Sequence, residues 1–184
     1  MDEWEEVTME IDPRTAERLP FHEADEGQQA YAGATEPARD VHLRHLQRVP
    51  LFSGFNEDEL RRIAELSRIR ETAAGTVVTQ IGDAGDSFFI IIDGMAAVRT
   101  PVGAGSQLQP GDCFGEMSLV DGEPRSATIV ATTDLRVLVV DRANFWRLLD
   151  ETPELMRRIL TMLSRRVRGL EQTLRAVLQG PNPT

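Results

Sequence analysis

The residue types best suited to chemistry lie together in residues 114–128, which read FGEMSLVDGEPRSAT. Gly115 precedes Glu116 and one short turn, so backbone N–H groups are presented at a helix start, where hydrogen bonds and the helix dipole hold an anion. Arg125 follows at the start of the next strand, and its guanidinium can offer two parallel hydrogen bonds to a phosphate. The segment therefore predicts an anion site that would accept a phosphate group.

A carboxylate beside an anion site is unfavourable unless it has a separate task. Glu116 can accept hydrogen bonds from ribose hydroxyls, the task that an acidic residue performs in dinucleotide folds. One arginine, a set of amides and one acid that contacts ribose suit a ligand with a single phosphate charge on a sugar. A cyclic nucleotide has this composition. The alternative for a lone Arg and Glu in a β protein is a surface ion pair.

Short β-strands separated by glycine turns must position this segment, because after Ile69 the hydrophobic period changes from the helical value to the strand value. Runs of β-forming residues predict strands at 76–81, 87–92, 96–100, 126–132 and 135–141. Turn residues separate them at 82–86, 93–94 and 110–112. The pattern predicts a mainly β fold with flanking helices, a jelly-roll-like β-roll over about residues 68–141.

Helices are predicted on both sides of the β-roll, where the hydrophobic period is helical. We predict them from residue 41 to Val49, after Asn56, over 142–149 and from Pro153 to about Gln179. Capping residues, prolines and Gly180 mark their ends. We expect one domain over residues 41–180, with the two C-terminal helices in 142–179 and a tail at 1–40.

The acidic charge of the chain is concentrated in that tail. The whole chain has 30 acidic and 20 basic residues and a net charge of −10, whereas residues 1–40 have 12 acidic residues and 3 arginines, a net charge of −9. Few aliphatic residues and three prolines favour a flexible tail. The alternative is an acidic peptide that docks on a basic surface, such as the arginine-rich last helix.

The segment 114–128 resembles the phosphate-binding cassette of cyclic nucleotide-binding domains, as in bacterial catabolite activator proteins, protein kinase A regulatory subunits and cyclic-nucleotide-gated channels. The family pattern Phe-Gly-Glu-x-x-Leu, followed by Pro-Arg-x-Ala-Thr, is matched without a gap. The resemblance extends over about residues 41–178 and implies the cyclic nucleotide-binding β-roll with a long C-terminal helix. It does not include the acidic tail.

The resemblance also implies a role for each matched residue. Glu116 would accept a hydrogen bond from the ribose 2′-hydroxyl, and Arg125 would bind the cyclic phosphate. Backbone contacts to the ligand would come from Gly115, Met117, Ser118, Ser126 and Ala127. The Ser126 hydroxyl would add a hydrogen bond to the phosphate or to a base edge. Degenerate members of the family typically lose the acid or the arginine, and both are present here, so we expect a functional site.

The base is contacted in this family largely by the last helix, where the resemblance is looser. Alignment places the residues that contact adenine at Leu170 and Glu171, which depart from the polar pair of the catabolite activators. Ser126 together with Glu171 could suit a guanine edge, which offers two N–H donors. The alternative for Glu171 is a solvated charge near Arg168. We expect cAMP as the first ligand and cGMP as the second.

A heptad pattern occupies the long C-terminal helix. Its apolar residues follow in steps of 4, 3, 4, 3, 4 and 3: Met156, Leu160, Leu163, Val167, Leu170, Leu174 and Val177. One interpretation is that this stripe covers the helix's own β-roll. The other is a parallel homodimer, as the same helix forms in catabolite activators, and the length of the pattern favours the dimer.

Other classes of function find little support in the sequence. The single Cys113 excludes an internal disulfide and a cysteine-based metal site, and His42 and His45 have no third ligand nearby. Walker and dinucleotide glycine motifs are absent. We therefore expect no enzyme, no metal and no cofactor apart from the nucleotide ligand. Without a secretion signal or a membrane-length apolar run, we expect a cytoplasmic protein with no membrane partner.

The sequence predicts a cyclic nucleotide sensor that transmits ligand occupancy through its C-terminal helices to a separate effector protein. Only residues 180–184 follow the long helix, so we expect no helix-turn-helix domain and no sequence-specific DNA binding. The alternative is a scaffold that uses the β-roll and the helix for protein contacts independently of a ligand.

Overall fold

The computed structural model describes residues 43–101 and 103–179. The helices are α1 (43–48), α2 (Glu57–Glu65), α3 (Glu116–Asp121), α4 (Arg142–Glu151) and α5 (Pro153–Gln179), with a 3-10 turn at Pro50–Phe52. The strands are β1 (Arg68–Thr72), β2 (Val77–Thr79), β3 (Ser87–Asp93), β4 (Ala96–Thr100), β5 (Gly103–Leu108), β6 (Cys113–Phe114), β7 (Thr128–Ala131) and β8 (Leu135–Asp141).

The strands form two antiparallel sheets of four strands each. One sheet has the order β1-β8-β3-β6 and the other has the order β2-β7-β4-β5. In the first sheet, β3 pairs with β8 from Ser87 opposite Asp141 onward and with the short β6 through Phe89 and Phe114. The sequence between β6 and β7 therefore leaves one sheet and returns in the other, and this connection contains α3.

The central strands β3 and β8 are buried on both faces, and their alternation separates two apolar cores. In β3, Phe88 and Ile90 pack with Leu138 of β8 in a core shared with the helices. Phe89 and Ile91 point the other way and pack between the two sheets. Because successive side chains of a strand point to opposite faces, the five consecutive residues 88–92 contribute to both cores. The β-roll with flanking helices that the sequence predicts is confirmed.

Arginine contacts join the helices on one side of the roll. Arg158 of α5 donates to the carbonyl oxygen of Leu51 at 2.6 Å, and its guanidinium lies 4.8 Å from the centre of the Phe55 ring. Arg62 of α2 donates to Glu151 Oε1 of α4 at 2.9 Å. Hydrogen bonds from Arg62 and Arg147 lower the pKa of Glu151 to about 2. These contacts join the segments before the roll to those after it.

Two neighbouring stripes of α5 have different environments. Leu155 and Ile159 are buried in the helix-side core, and Met162 packs against it, so this stripe covers the roll. The heptad stripe is offset by one residue, and of its members Leu163 is the one that packs against the core. The others are exposed: Met156, Leu160, Val167, Leu170, Leu174 and Val177. Most of the heptad pattern is therefore not used to cover the chain's own roll.

The structure corrects the predicted strands in detail. The predicted bounds of β3, β4 and β8 agree with the structure to within one residue. The strands β2 and β7 are shorter than predicted, because their pairing contains a bulge and the residues at their ends lie in turns. The strands β5 and β6 were not predicted from their own residues. The glycine-rich sequence of β5 has low β-propensity, and the strand forms because β4 offers it a pairing edge.

The acidic tail at 1–40 and its proposed docking lie outside the described residues, and so do His42 and the chain end at 180–184. Within the ranges that the structure describes, no helix has the length and apolar character needed to cross a bilayer.

Truncation of Leu138 tests the importance of the shared core. Leu138 is fully buried in β8, so Leu138→Ala removes apolar contacts and leaves a cavity; we expect a loss of about 2–5 kcal/mol in the free energy of unfolding, measured by urea denaturation. Val120→Ala at an exposed position is the control and should change stability little. A cost for Leu138→Ala no larger than that of the control would contradict this assignment of the core.

Candidate functional site

Gly115 connects β6 to α3 in a conformation that requires glycine. Its φ is +86°, in the left-handed region that side chains other than glycine rarely adopt. A Cβ at this position would lie 2.6 Å from Arg125 Nη1 and 2.7 Å from the carbonyl oxygen of Ser87. The turn therefore brings the start of α3 into direct contact with the Arg125 guanidinium.

Glu116, the first residue of α3, turns its carboxylate into the protein and is only 3% exposed. Its Oε1 accepts a hydrogen bond from Arg166 Nη1 of α5 at 3.1 Å. The same guanidinium also donates to the carbonyl oxygen of Cys113 in β6. One side chain of the C-terminal helix therefore binds both the first residue of β6 and the first residue of α3.

The second oxygen of Glu116, Oε2, is buried without a hydrogen-bond partner among the residues that the structure describes. Burial raises the pKa of Glu116 above its ordinary value, while Arg166 and Arg125 oppose that rise. A buried carboxylate oxygen without a donor is costly. It is a position at which a hydroxyl donor would be stabilised.

Arg125 is 6% exposed and lies on the other side of Gly115. Its Nη1 donates to the carbonyl oxygen of Gly115 at 3.0 Å, and its guanidinium carbon lies 5.6 Å from the centre of the Phe89 ring. Its backbone N–H donates to Asp83 at 2.8 Å. The turn after β2 therefore positions the backbone of Arg125, and β3 and the Gly115 turn position its guanidinium.

Gly85 completes the packing around this arginine. It is buried, and a Cβ there would lie 2.4 Å from Ser118 Cβ and 3.0 Å from Arg125 Cζ. The turn between β2 and β3 consequently approaches both α3 and Arg125 so closely that only glycine fits without a shift. A backbone turn, a short helix and a cationic side chain meet at one place.

The other predicted site residues are distributed around this centre. Ser118 is buried in α3, whereas Met117 is half exposed, and the Ser126 hydroxyl donates to Met117 Sδ at 3.6 Å. Ala127 is partly buried and packs against the core between the sheets. Leu170 and Glu171 lie about one helical turn beyond Arg166 on α5 and are exposed, Leu170 to 71%. Their assignment to the base stays a prediction.

The site contains contributors that the sequence did not indicate. Arg166 was predicted only as one of several arginines beside the heptad stripe. Its position could have been inferred from the buried stripe Leu155, Ile159 and Met162, because steps of 4, 3 and 4 along a helix share one face and the next position is 166. Phe89 and Gly85 come from β3 and the turn before it, which contained no chemical signal.

The combination defines a class of site. Two buried charged residues, Arg125 and Glu116, lie beside the turn at Gly115. They belong to the connection between β6 and β7, and the long helix α5 packs against it through Arg166. Such a pair can bind an anionic group and a neighbouring hydroxyl group of the same ligand.

Comparison with known proteins agrees with that class. Residues 69–152 match the cyclic nucleotide-binding domain. A cyclic nucleotide-gated potassium channel of Mesorhizobium japonicum is 40% identical over 107 residues, which are 58% of this chain and 30% of the channel. A cAMP-dependent protein kinase regulatory subunit of Aspergillus niger is 38% identical over 126 residues, 65% of this chain and 30% of that protein. The chain thus spans about 30% of the length of these relatives.

Solved structures show the same fold. A catabolite activator protein of Thermus thermophilus superposes with a TM-score of 0.61 at 30% identity, over 68% of this chain and 61% of that one. A PKAR CBD2 bound to Sp-2Cl-cAMPS has a TM-score of 0.61 at 28% identity, over 72% of this chain and 91% of that one. Residues 69–152 of this chain therefore match the cyclic nucleotide-binding domain, and the structure has the fold of these proteins, so the resemblance seen in the sequence is confirmed.

The burial of Glu116 gives a pH dependence that can be measured. Its folded-state pKa is raised above 4.5, so its contribution to stability is fully present below that value and is lost as pH rises through the folded pKa. Glu116→Gln removes the titration. We expect the melting temperature of the nucleotide-free variant, relative to wild type, to increase from about pH 4 to about pH 7. A difference that is constant with pH would contradict the raised pKa.

Proposed function

We propose that this chain binds a cyclic nucleotide at the site between α3 and Arg125, with cAMP as the first ligand and cGMP as the second. The observation that carries the proposal is Glu116 Oε2, which is buried beside a buried arginine and has no hydrogen-bond partner in the described part of the chain. The ribose 2′-hydroxyl would donate to this oxygen. The cyclic phosphate would bind Arg125, whose guanidinium reaches the turn at Gly115.

In this proposal, the other residues of the segment 114–128 contact the ligand mainly through their backbone groups. Backbone groups of Gly115, Met117, Ser118, Ser126 and Ala127 would contact the phosphate and the ribose. Met117 and Ser126 contact each other at the exposed rim, so the Ser126 hydroxyl is available near the ligand's base or phosphate. The names of the matched kinase subunits favour cAMP, and Leu170 and Glu171 would approach the base from α5.

The Arg166 contact supports transmission of ligand occupancy to the C-terminal helix. Glu116 would bind the ligand through one oxygen and already binds α5 through the other. A hydroxyl donor on Oε2 changes the charge distribution that Arg166 experiences, so nucleotide binding and helix position are coupled. A ligand shifts such an equilibrium only by its difference in affinity for the two states. The effector would be a separate protein that prefers one position of α5.

The proposal assigns a regulatory role in the cytoplasm rather than catalysis, with no metal and no cofactor apart from the nucleotide. The matched kinase relatives are themselves named as regulatory subunits. The proposal also includes no direct sequence-specific contact with DNA and no membrane partner.

Substitution of Arg125 tests the phosphate contact. Arg125→Gln replaces the guanidinium by a shorter, uncharged polar side chain, so we expect a loss of about 100-fold or more in cAMP affinity by calorimetry. Arg99→Gln, at an exposed position of β4, is the matched control and should leave affinity unchanged. Thermal denaturation of the free variants establishes that both are folded.

The same protein preparations should be tested for thermal stabilisation by cAMP, cGMP, cCMP and cUMP. Stabilisation of wild type by cAMP or cGMP, lost in Arg125→Gln, is the expected result. No stabilisation by any of the four would contradict the proposed function and favour a scaffold that acts without a ligand.

We further propose that α5 forms a homodimer through the heptad stripe. The helix already covers its own roll with the stripe Leu155, Ile159 and Met162, and of the heptad stripe only Leu163 shares that task. Leu170 and Leu174 are exposed to 71% and 59%, on a helix of 27 residues. A second copy of the same helix would bury this stripe with matched periodicity.

Charge in the heptad stripe tests the dimer. Leu174→Glu combined with Val177→Glu places carboxylates in the seam beyond Leu170 and Glu171, so we expect monomers by sedimentation where wild type is a dimer. Gln172→Glu adds a charge outside the heptad stripe and should leave the dimer intact. A monomeric wild type, or equal dissociation of the control, would contradict the dimer.

A further inference from the structure

Arg142 makes an unusual set of contacts for a partly exposed side chain. It is the first residue of α4, and its Nη2 donates to the carbonyl oxygens of Gly85 at 2.9 Å and Ser118 at 3.1 Å. Its Nη1 donates to Leu119 at 3.3 Å, and its Nε lies 3.5 Å from Asp86 Oδ1. One guanidinium therefore joins the turn before β3, the end of α3 and the start of α4.

The acceptors at α3 are carbonyl groups near the C-terminal end of this short helix. The last carbonyl groups of a helix have no N–H donor within it, and in α3 the Gly122 N–H reaches Ser118 at 3.2 Å. Arg142 supplies donors to Ser118 and also to Leu119. A cation is favourable at the C-terminal end of α3, whereas the N-terminus of its own helix α4 disfavours it. The dipole of α3 therefore stabilises the positive charge of Arg142, whereas the dipole of α4 does not.

These contacts bear directly on the geometry of the candidate site. Arg142 joins Gly85 to Ser118, and these two residues pack closely beside Arg125. A Cβ on Gly85 would lie 2.4 Å from Ser118 Cβ and 3.0 Å from Arg125 Cζ. The contact between this turn and α3 is therefore part of the packing around the Arg125 guanidinium.

We propose that Arg142 is a positioning residue for cyclic nucleotide binding, one that closes α3 against the turn at Gly85 and so orients Arg125 without touching the ligand. This inference rests on the proposed function. In this proposal, Arg142 holds the site in its binding geometry before the ligand arrives. Groups that are already ordered lose less entropy on binding, so this contact would raise the affinity for the nucleotide. It also places the start of α4 in direct contact with the phosphate-binding segment.

The test compares Arg142→Gln and Arg142→Lys with Arg147→Gln. Arg147 is a matched control on the same helix, where it donates to Glu151 at 3.0 Å, away from α3. We expect Arg142→Gln to weaken cAMP binding about tenfold or more, since several hydrogen bonds to a charged group are lost. Arg142→Lys should fall between this variant and wild type, because one ammonium group cannot reproduce the planar fork. Arg147→Gln should bind as wild type does.

Hydrogen exchange separates positioning from a general loss of stability. In nucleotide-free Arg142→Gln, amides of residues 116–122 should exchange faster while those of β8 keep their protection, and saturating cAMP should restore the slow exchange of 116–122. Faster exchange throughout β8, or no recovery with cAMP, would overturn the positioning role. If Arg142→Gln does not fold, the same comparison is made with Arg142→Lys.

The two hypotheses fail in different ways. If wild type binds no cyclic nucleotide, the proposed function itself is wrong. If wild type binds cAMP and both Arg142 variants bind it equally well, the site assignment stands and the role of Arg142 is overturned.

Discussion

The position of the C-terminal helix depends on a carboxylate that lies inside the fold. Glu116 is nearly inaccessible to solvent, and a buried charge is costly unless an opposite charge and hydrogen bonds compensate it. The compensating charges are Arg166 of α5, which also donates a hydrogen bond to the carboxylate, and Arg125. Apolar packing of Leu155 and Ile159 holds the same helix on the roll. Apolar packing and the ion pair with Glu116 both hold α5 in place. Of these two, the ion pair is the interaction that a ligand bound to Glu116 would change.

The segment 114–128, which contains the candidate site, could be singled out from the sequence because its main residues are close along the chain. Glu116 and Arg125 are nine positions apart, and the glycine before the acid can form the turn that both require. Local chemistry and local backbone geometry thus point to the same segment. The β-roll was predictable for a related reason, since strand periodicity and glycine turns are also local signals.

Contributions from distant segments could not be predicted in the same way. Arg166 is 50 residues from Glu116, and Arg142 is 57 residues from Gly85. Their roles appear only after the two sheets and the helices have been placed. The strands β5 and β6 show the same limit, because β5 has weak intrinsic propensity and β6 has two residues, so pairing with neighbours decides both. Sequence patterns thus located the centre of the site and missed the groups that hold it in place.

The alternation of β3 also constrains how this chain could change in length. Because neighbouring residues such as Ile90 and Ile91 belong to different cores, insertion of one residue within the strand would exchange the two sets of side chains beyond that point. Large aromatic groups would then enter spaces shaped for other side chains, and Phe89 would leave the ring contact beneath Arg125. Length variation in a lineage of such proteins should accordingly accumulate in surface turns, while β3 can vary in composition but not in residue number.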